Sequence, residues 1–185
     1  MFRVEYAILS NEKERLKQVE EITLFEEELD EIEGQIYIAC NDNEIGFVDE
    51  SIPYEGEFLV TWLWQLNSGI LRLDDNGYFA MLIPDSADVW LEFKSMNKVV
   101  RVSKIETVKQ YKGTTMTKPI ESTNIIWAEN IVKIELVQEI LKKTEAFIQE
   151  VYSINKLLVE STEIKRLINV FQMAKADACI NLLEK

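Results

Sequence analysis

Tyr78-Phe79-Ala80-Met81-Leu82-Ile83, Val89-Trp90-Leu91-Glu92-Phe93 and Val99-Val100-Arg101-Val102-Ser103-Lys104-Ile105 decide the fold class. All three runs are rich in β-branched and aromatic residues, the side chains that fit a pleated surface. Only Pro84-Asp85-Ser86-Ala87-Asp88 and Ser95-Met96-Asn97-Lys98 separate them. Connections this short join hairpins and exclude the helical crossover that parallel strands need, so the runs predict a largely antiparallel sheet. Asp74-Asp75-Asn76-Gly77, a turn signal, introduces the first of them.

Upstream, Phe58, Leu59, Trp62, Leu63, Leu66 and Ile70 recur at three and four. That is the period of an amphipathic helix, beginning from Glu55 and weakening around Asn67-Ser68-Gly69. Trp62 and Trp64 stand about 200° apart on such a helix, so one of them is expected to be partly exposed. Earlier still, Phe2, Val4, Tyr6 and Ile8 alternate as in a half-buried strand that ends at Ser10-Asn11. Thr23-Leu24-Phe25-Glu26 has the form of a capping box, and Gly34 suits a helix stop, which predicts a short helix over about 24–33. Gln35–Cys40 and Glu44–Val48 read as a hairpin around Asn41-Asp42-Asn43. A calcium loop starting there would place Ile45 at its fifth position and Ile52 at its twelfth, where oxygen ligands are needed, and is rejected.

Downstream, Lys109–Asn130 is Thr-rich, holds Pro119, and reads as a long connection with one strand around Ile125–Trp127. Two helical stripes follow: Val137, Leu141, Thr144, Ile148, Val151 and Asn155, then Ile164, Leu167, Phe171, Ala174, Ala178 and Leu182. Val159–Thr162 breaks them, with Ser161 or Thr162 as N-cap of the second. The expected fold is therefore α+β: a mostly antiparallel sheet packed with helices, ending in an antiparallel helix pair. Its 185 residues suit one domain, with sheet and two helices over 1–112, a connection over 113–130 and the helix pair over 131–185.

The chain has no histidine and two cysteines, Cys40 and Cys179. That removes Ser-His-Asp and Cys-His catalysis and His-ligated metals, and two cysteines cannot build a four-ligand zinc site or a disulfide framework. No catalytic site, metal or cofactor is expected. Trp90, Trp127 and Phe147 are expected in the core, since large aromatics dominate burial. No stretch reaches the length of a membrane span, and the start carries no n-region followed by an apolar run, which predicts cytoplasmic residence.

Charge is unevenly placed. Residues 1–50 hold 15 Asp and Glu against 4 Lys and Arg, and residues 51–100 hold 7 against 3. Residues 101–150 hold 7 against 8, and 151–185 hold 4 against 5, within a net charge of −13. A segregated field of this sign attracts cationic surfaces and repels phosphate backbones, so nucleic acid is disfavoured as a partner. The densest run contains Glu20, Glu21, Glu26, Glu27, Glu28, Asp30, Glu31 and Glu33. Two readings apply to it: a solvated helix face, or a docking surface for a basic protein, with Glu26, Glu27, Glu28, Asp30 and Glu31 as the contact residues.

The order of features over roughly residues 30–105 resembles the small acidic immunity proteins encoded beside polymorphic bacterial toxins. The resemblance lies in Gly34-Gln35-Ile36-Tyr37-Ile38 leading to Glu44-Ile45-Gly46, the helix of Phe58, Trp62 and Leu66, and Pro84-Asp85 leading to Trp90-Leu91-Glu92-Phe93. It implies a non-enzymatic protein that binds one toxin domain and blocks it, often by presenting carboxylates to a basic active site. A general interaction or adaptor module of a phage or mobile element is the first alternative. A small-molecule-binding domain is the second, because aromatics between sheet and helices line pockets as readily as cores.

Overall fold

The computed structural model describes residues 1–28, 31–53, 56–84, 86–121 and 123–183, without the side chains of 180–183. Leu29, Asp30, Glu55, Asp85 and the side chain of Leu182 thus lie outside the described residues. The elements run β1 (Phe2–Ala7), α1 (Ser10–Lys17), α2 (Ile22–Glu28), β2 (Glu33–Cys40), β3 (Asn43–Gly46), β4 (Glu57–Phe58) and α3 (Leu59–Asp75). They continue with β5 (Tyr78–Leu82), β6 (Val89–Met96), β7 (Val99–Thr107), β8 (Thr115–Met116), β9 (Thr123–Val132), α4 (Lys133–Ile154) and α5 (Thr162–Leu183). The fold is α+β, and its strands form two antiparallel sheets instead of one. In the first, β2 pairs with β1 on one side and with β3 and β4 on the other. In the second the order is β8-β5-β6-β7-β9.

The three decisive runs are the centre of the second sheet. Phe79 lies opposite Phe93 and Met81 opposite Leu91, while Phe93 lies opposite Val102. Alternation sends Phe79, Met81, Leu91, Phe93, Val100 and Val102 to one face, where they join the main core. Tyr78, Ala80, Trp90 and Ile105 take the other face, where Ile120, Tyr111 and Met116 of the following segment cover them. The Thr-rich stretch is thus largely structured: besides this cover it holds β9, which pairs with β7 from Thr107↔Thr123 to Val99↔Val132. Asn and Thr masked this strand by breaking the apolar alternation. Its pairing comes from β7, not from its own pattern.

Helix α3 touches both sheets, through β2, β5 and β6, as well as α4 and α5. It buries Leu59, Val60, Trp62, Leu63, Leu66, Ile70 and Leu73, so it is apolar around most of its circumference, as an internal helix must be. It runs unbroken through Asn67-Ser68-Gly69. Asn67 donates to Leu63 O and Thr144 Oγ1, a buried polar link to α4. At Gly69 an added Cβ would lie 2.8 Å from the Phe79 ring, so the glycine lets α3 approach β5. Trp62 is buried and Trp64 half-buried, with the Arg166 guanidinium 4.0 Å from its ring centroid.

The helix expected over about 24–33 is described over Ile22–Glu28, residues 31–33 are not helical, and Gly34 lies inside β2. Tertiary contact overrode the stop signal: a Cβ at Gly34 would meet Ala7 O at 2.3 Å and Leu59 Cδ1 at 2.6 Å. The stretch after β1, ambiguous in the sequence, forms α1. At the C-terminus, α5 buries Ile164, Leu167, Phe171, Ala174 and Ala178 as its spacing predicts. The buried stripe of α4 is Leu136, Val137, Ile140, Thr144, Phe147 and Val151, leaving Leu141 and Ile148 half-buried. Trp90 and Phe147 are core residues, and Trp127 packs partly buried against the core.

Two measurements check this packing. Gly34→Ala is expected to destabilise the protein by about 2–3 kcal/mol in urea unfolding, because the added methyl meets backbone that must shift. Cys40 is buried and its thiol is pushed up to about 12 by burial, whereas Cys179 is exposed, and both are free. A thiol-specific chromogenic reagent should therefore titrate one cysteine in the native protein and both in denaturant.

Candidate docking surface

Helices α1 and α2 are short, polar and joined by the acidic Glu20-Glu21 pair. Between them lies a groove of about 350 Å³, lined by Arg15, Gln18, Val19, Glu20, Glu21, Leu24, Phe25 and Glu28. Phe25 is buried at its base and Leu24 is 56% exposed at its lip, so an apolar contact sits beside the carboxylates. Arg15 is the groove's cation, yet Glu12 holds it at 2.7 Å through two hydrogen bonds, which raise its pKa and neutralise its charge. Glu28 approaches it only loosely, at 3.9 Å. The groove is therefore acidic, with Glu20, Glu21 and Glu28 facing solvent and Glu27 exposed on the same helix.

The structure separates the five carboxylates singled out from the sequence. Glu27 and Glu28 are exposed on α2, and Asp30 lies outside the described residues. Glu26 reaches across to α5, where its Oε1 accepts hydrogen bonds from Thr162 N and Thr162 Oγ1, both at 2.8 Å. Glu31 is buried, at 6% exposure, and accepts from Ile32 N at 2.9 Å, Val60 N at 2.8 Å, Thr61 N at 3.1 Å and Thr61 Oγ1 at 2.7 Å. Glu26 and Glu31 thus close the N-termini of α5 and α3, where unpaired N–H groups and the helix dipole favour an anion. As an exposed contact residue Glu31 is corrected: its oxygens face inward. Glu20 and Glu21 belong to the acidic run read from the sequence but not to its five contact residues, and the structure places both on the groove.

A second concavity of about 260 Å³ lies between α3 and α5, lined by Thr61, Trp64, Gln65, Thr114, Thr115, Glu163 and Arg166. Its cation is balanced, since Arg166 Nη1 lies 3.2 Å from Glu163. Among the described residues no group of three or more His, Cys, Asp and Glu side chains is placed to hold a metal ion. No described helix is long and apolar enough to cross a membrane. Comparison with family models, with curated proteins and with solved structures gives no match.

The division of the acidic run is measurable. Glu31→Gln replaces one acceptor by an NH2 group facing N–H donors and should cost about 1–3 kcal/mol of stability. Glu27→Gln, on the surface, should change it by less than about 0.5 kcal/mol. Burial raises the Glu31 carboxyl pKa above its ordinary value, against the opposing pull of its hydrogen bonds. The folded state therefore binds this proton more tightly than the unfolded chain does. The group's contribution is fully present below about pH 4.3 and falls as pH rises through the raised pKa. Chemical denaturation across that window should show the stability gap between wild type and Glu31→Gln narrowing with rising pH.

Proposed function

We propose that this protein is a non-enzymatic binding protein that meets a basic protein partner with the α1–α2 face. The reading is supported by one observation above others: an open groove whose carboxylates, Glu20, Glu21 and Glu28, are solvent-facing while Arg15, the one cation among its described lining residues, is paired from within by Glu12. Leu24 beside them adds an apolar anchor of the sort that holds a complex once charge has steered the encounter. The resemblance to immunity proteins makes the partner a toxin domain, whose catalytic cleft the carboxylates would occupy. Lack of histidine throughout the chain favours binding over hydrolytic chemistry.

A small-molecule role draws on the α3–α5 concavity, where Gln65 Oε1 is buried without a hydrogen-bond partner. That oxygen is itself sealed from the concavity by burial, and Arg166 is already matched by Glu163, so the acidic face is the better-supported site.

Affinity capture from cells of the source organism, followed by protein sequencing, identifies the partner. Binding kinetics then test the face. Replacing Glu20, Glu21, Glu27 and Glu28 by Gln leaves the two helix-closing carboxylates intact, so the fold is kept while four exposed charges go. Association at low salt should slow about tenfold and its salt dependence should flatten, with dissociation changed less. An unchanged on-rate would make the face a solvated surface, and a captured partner that is acidic would overturn the proposal outright.

A further inference from the structure

Strands β7 and β9 are antiparallel neighbours whose ladder reaches the pair Thr107↔Thr123. About two residues would close such a hairpin, yet residues 108–122 intervene. A connection of that length inside a compact domain is uncommon and is commonly functional. The ladder does not need it, because β7 and β9 pair directly. Residues 109–121 instead form a strap over the outer face of the second sheet. Thr115 and Met116, the whole of β8, pair with Met81 and Ala80 on the edge of β5, and Leu82 N donates to Thr114 O at 2.8 Å. Tyr111, Met116 and Ile120 pack with Tyr78, Ala80, Trp90 and Ile105 in a cluster separate from the main core. Tyr78 Oη latches the strap, accepting from Ile120 N at 3.1 Å and donating to Glu92 Oε1 at 3.0 Å.

The strap fits its seat incompletely. Trp90 is 1% exposed, and its Nε1 has no hydrogen-bond partner among the described residues, although Tyr111 of the strap meets the ring edge-on with centroids 6.2 Å apart. Ser103 Oγ, on the same face and opposite Glu92 in the ladder, is also buried and unpaired among the described residues. Buried polar groups are nearly always paired, so these two favour an occupant that brings acceptors the strap does not. Thr114 and Thr115 also form part of the wall of the α3–α5 concavity, so lifting the strap opens that space onto the edge of β5.

We infer that the strap is a displaceable stand-in, and that the edge of β5 together with the Trp90 face is a docking site for an extended segment of a partner protein. The strap itself shows the chemistry of that occupant. Its backbone pairs with Ala80 and Met81, one flexible apolar side chain takes the place of Met116, and its neighbours are small, as in Thr114-Thr115-Met116-Thr117. A carbonyl or hydroxyl oxygen within reach of Trp90 Nε1 would complete the match. Strand addition of this kind draws affinity from main-chain hydrogen bonds and specificity from side-chain seats. A two-residue strand is a slight guard for such an edge, and its departure uncovers backbone and apolar face together. The inference concerns other elements than α1 and α2 and does not rest on the acidic-face reading.

Hydrogen exchange and peptide binding test it. On the full chain, the Leu82 amide, which bonds the strap, should exchange at least about a hundredfold faster than the Val102 amide of central β7. Its rate should be nearly flat at low denaturant while that of Val102 climbs, because strap opening uncovers little surface. A fluorescent peptide with the sequence of Tyr111–Ile120 should bind a chain in which residues 109–121 are replaced by Asn-Gly, with a Kd below about 1 mM. It should bind the wild type at least about tenfold more weakly, since the tethered strap competes at high effective concentration. The same peptide carrying Met116→Asp should not bind. The shortened chain should melt cooperatively, because the strap's apolar side chains lie outside the main core. Leu82 exchange that matches Val102 in rate and denaturant dependence overturns the inference. So does a shortened chain that fails to fold, that folds without binding the peptide, or that binds it no better than the wild type does.

Discussion

The carboxylate of Glu31 is the joint on which the structure turns. It comes from the chain just before β2 and closes the N-terminus of α3, taking two helix N–H groups and a hydroxyl as well as the amide of its neighbour. Helix α3 in turn contacts both sheets and both C-terminal helices. A buried helix terminus leaves N–H groups that water cannot reach, so some acceptor has to be brought to them. Here the acceptor belongs to the first sheet's leading segment, and satisfying the helix fixes where that sheet sits. Gly34, three residues on, lets β1 and Leu59 of α3 close upon it. Polar satisfaction and close packing thus act at one place.

The same physics explains why an acidic run need not be an acidic surface. Within one stretch of sequence, Glu26 closes α5 and Glu31 closes α3, while Glu12 neutralises Arg15 and also accepts from Glu33 N. These carboxylates organise three helices and a strand around themselves. What remains outward, Glu20, Glu21, Glu27 and Glu28, is a smaller set with a groove and an apolar lip beside it. The proposed binding face is therefore the residue of a structural network, and its charge is sharper because Arg15, the cation in the groove, is held closely by Glu12 and only loosely by Glu28.

The candidate site was legible in part. That the N-terminal half is acidic, and that the density peaks between Glu20 and Glu33, is a property of composition. Which of those side chains turn inward depends on Thr61 and Thr162, tens of residues away in sequence. No periodicity over 20–33 can report such contacts. Strand β9 was half legible for a related reason: Ile125–Trp127 stands out as apolar, yet its polar flanks are strand only because β7 offers them a ladder.

By itself the sequence determined the α+β class, the hairpins of the second sheet, α3, and the two terminal helices. Each of these follows from local period and turn chemistry, which are written within a window of a dozen residues. Only the tertiary structure decided that there are two sheets, that α3 runs through Gly69, that Gly34 belongs to a strand, and which glutamates face solvent. Those outcomes rest on close approach and on pairing of buried polar groups across 30 to 140 residues of chain, as between Glu31 and Val60 or Leu16 and Asn155. A helix stop or an exposed charge is a local preference of about 1 kcal/mol, and burial outweighs it once the chain has folded back on itself.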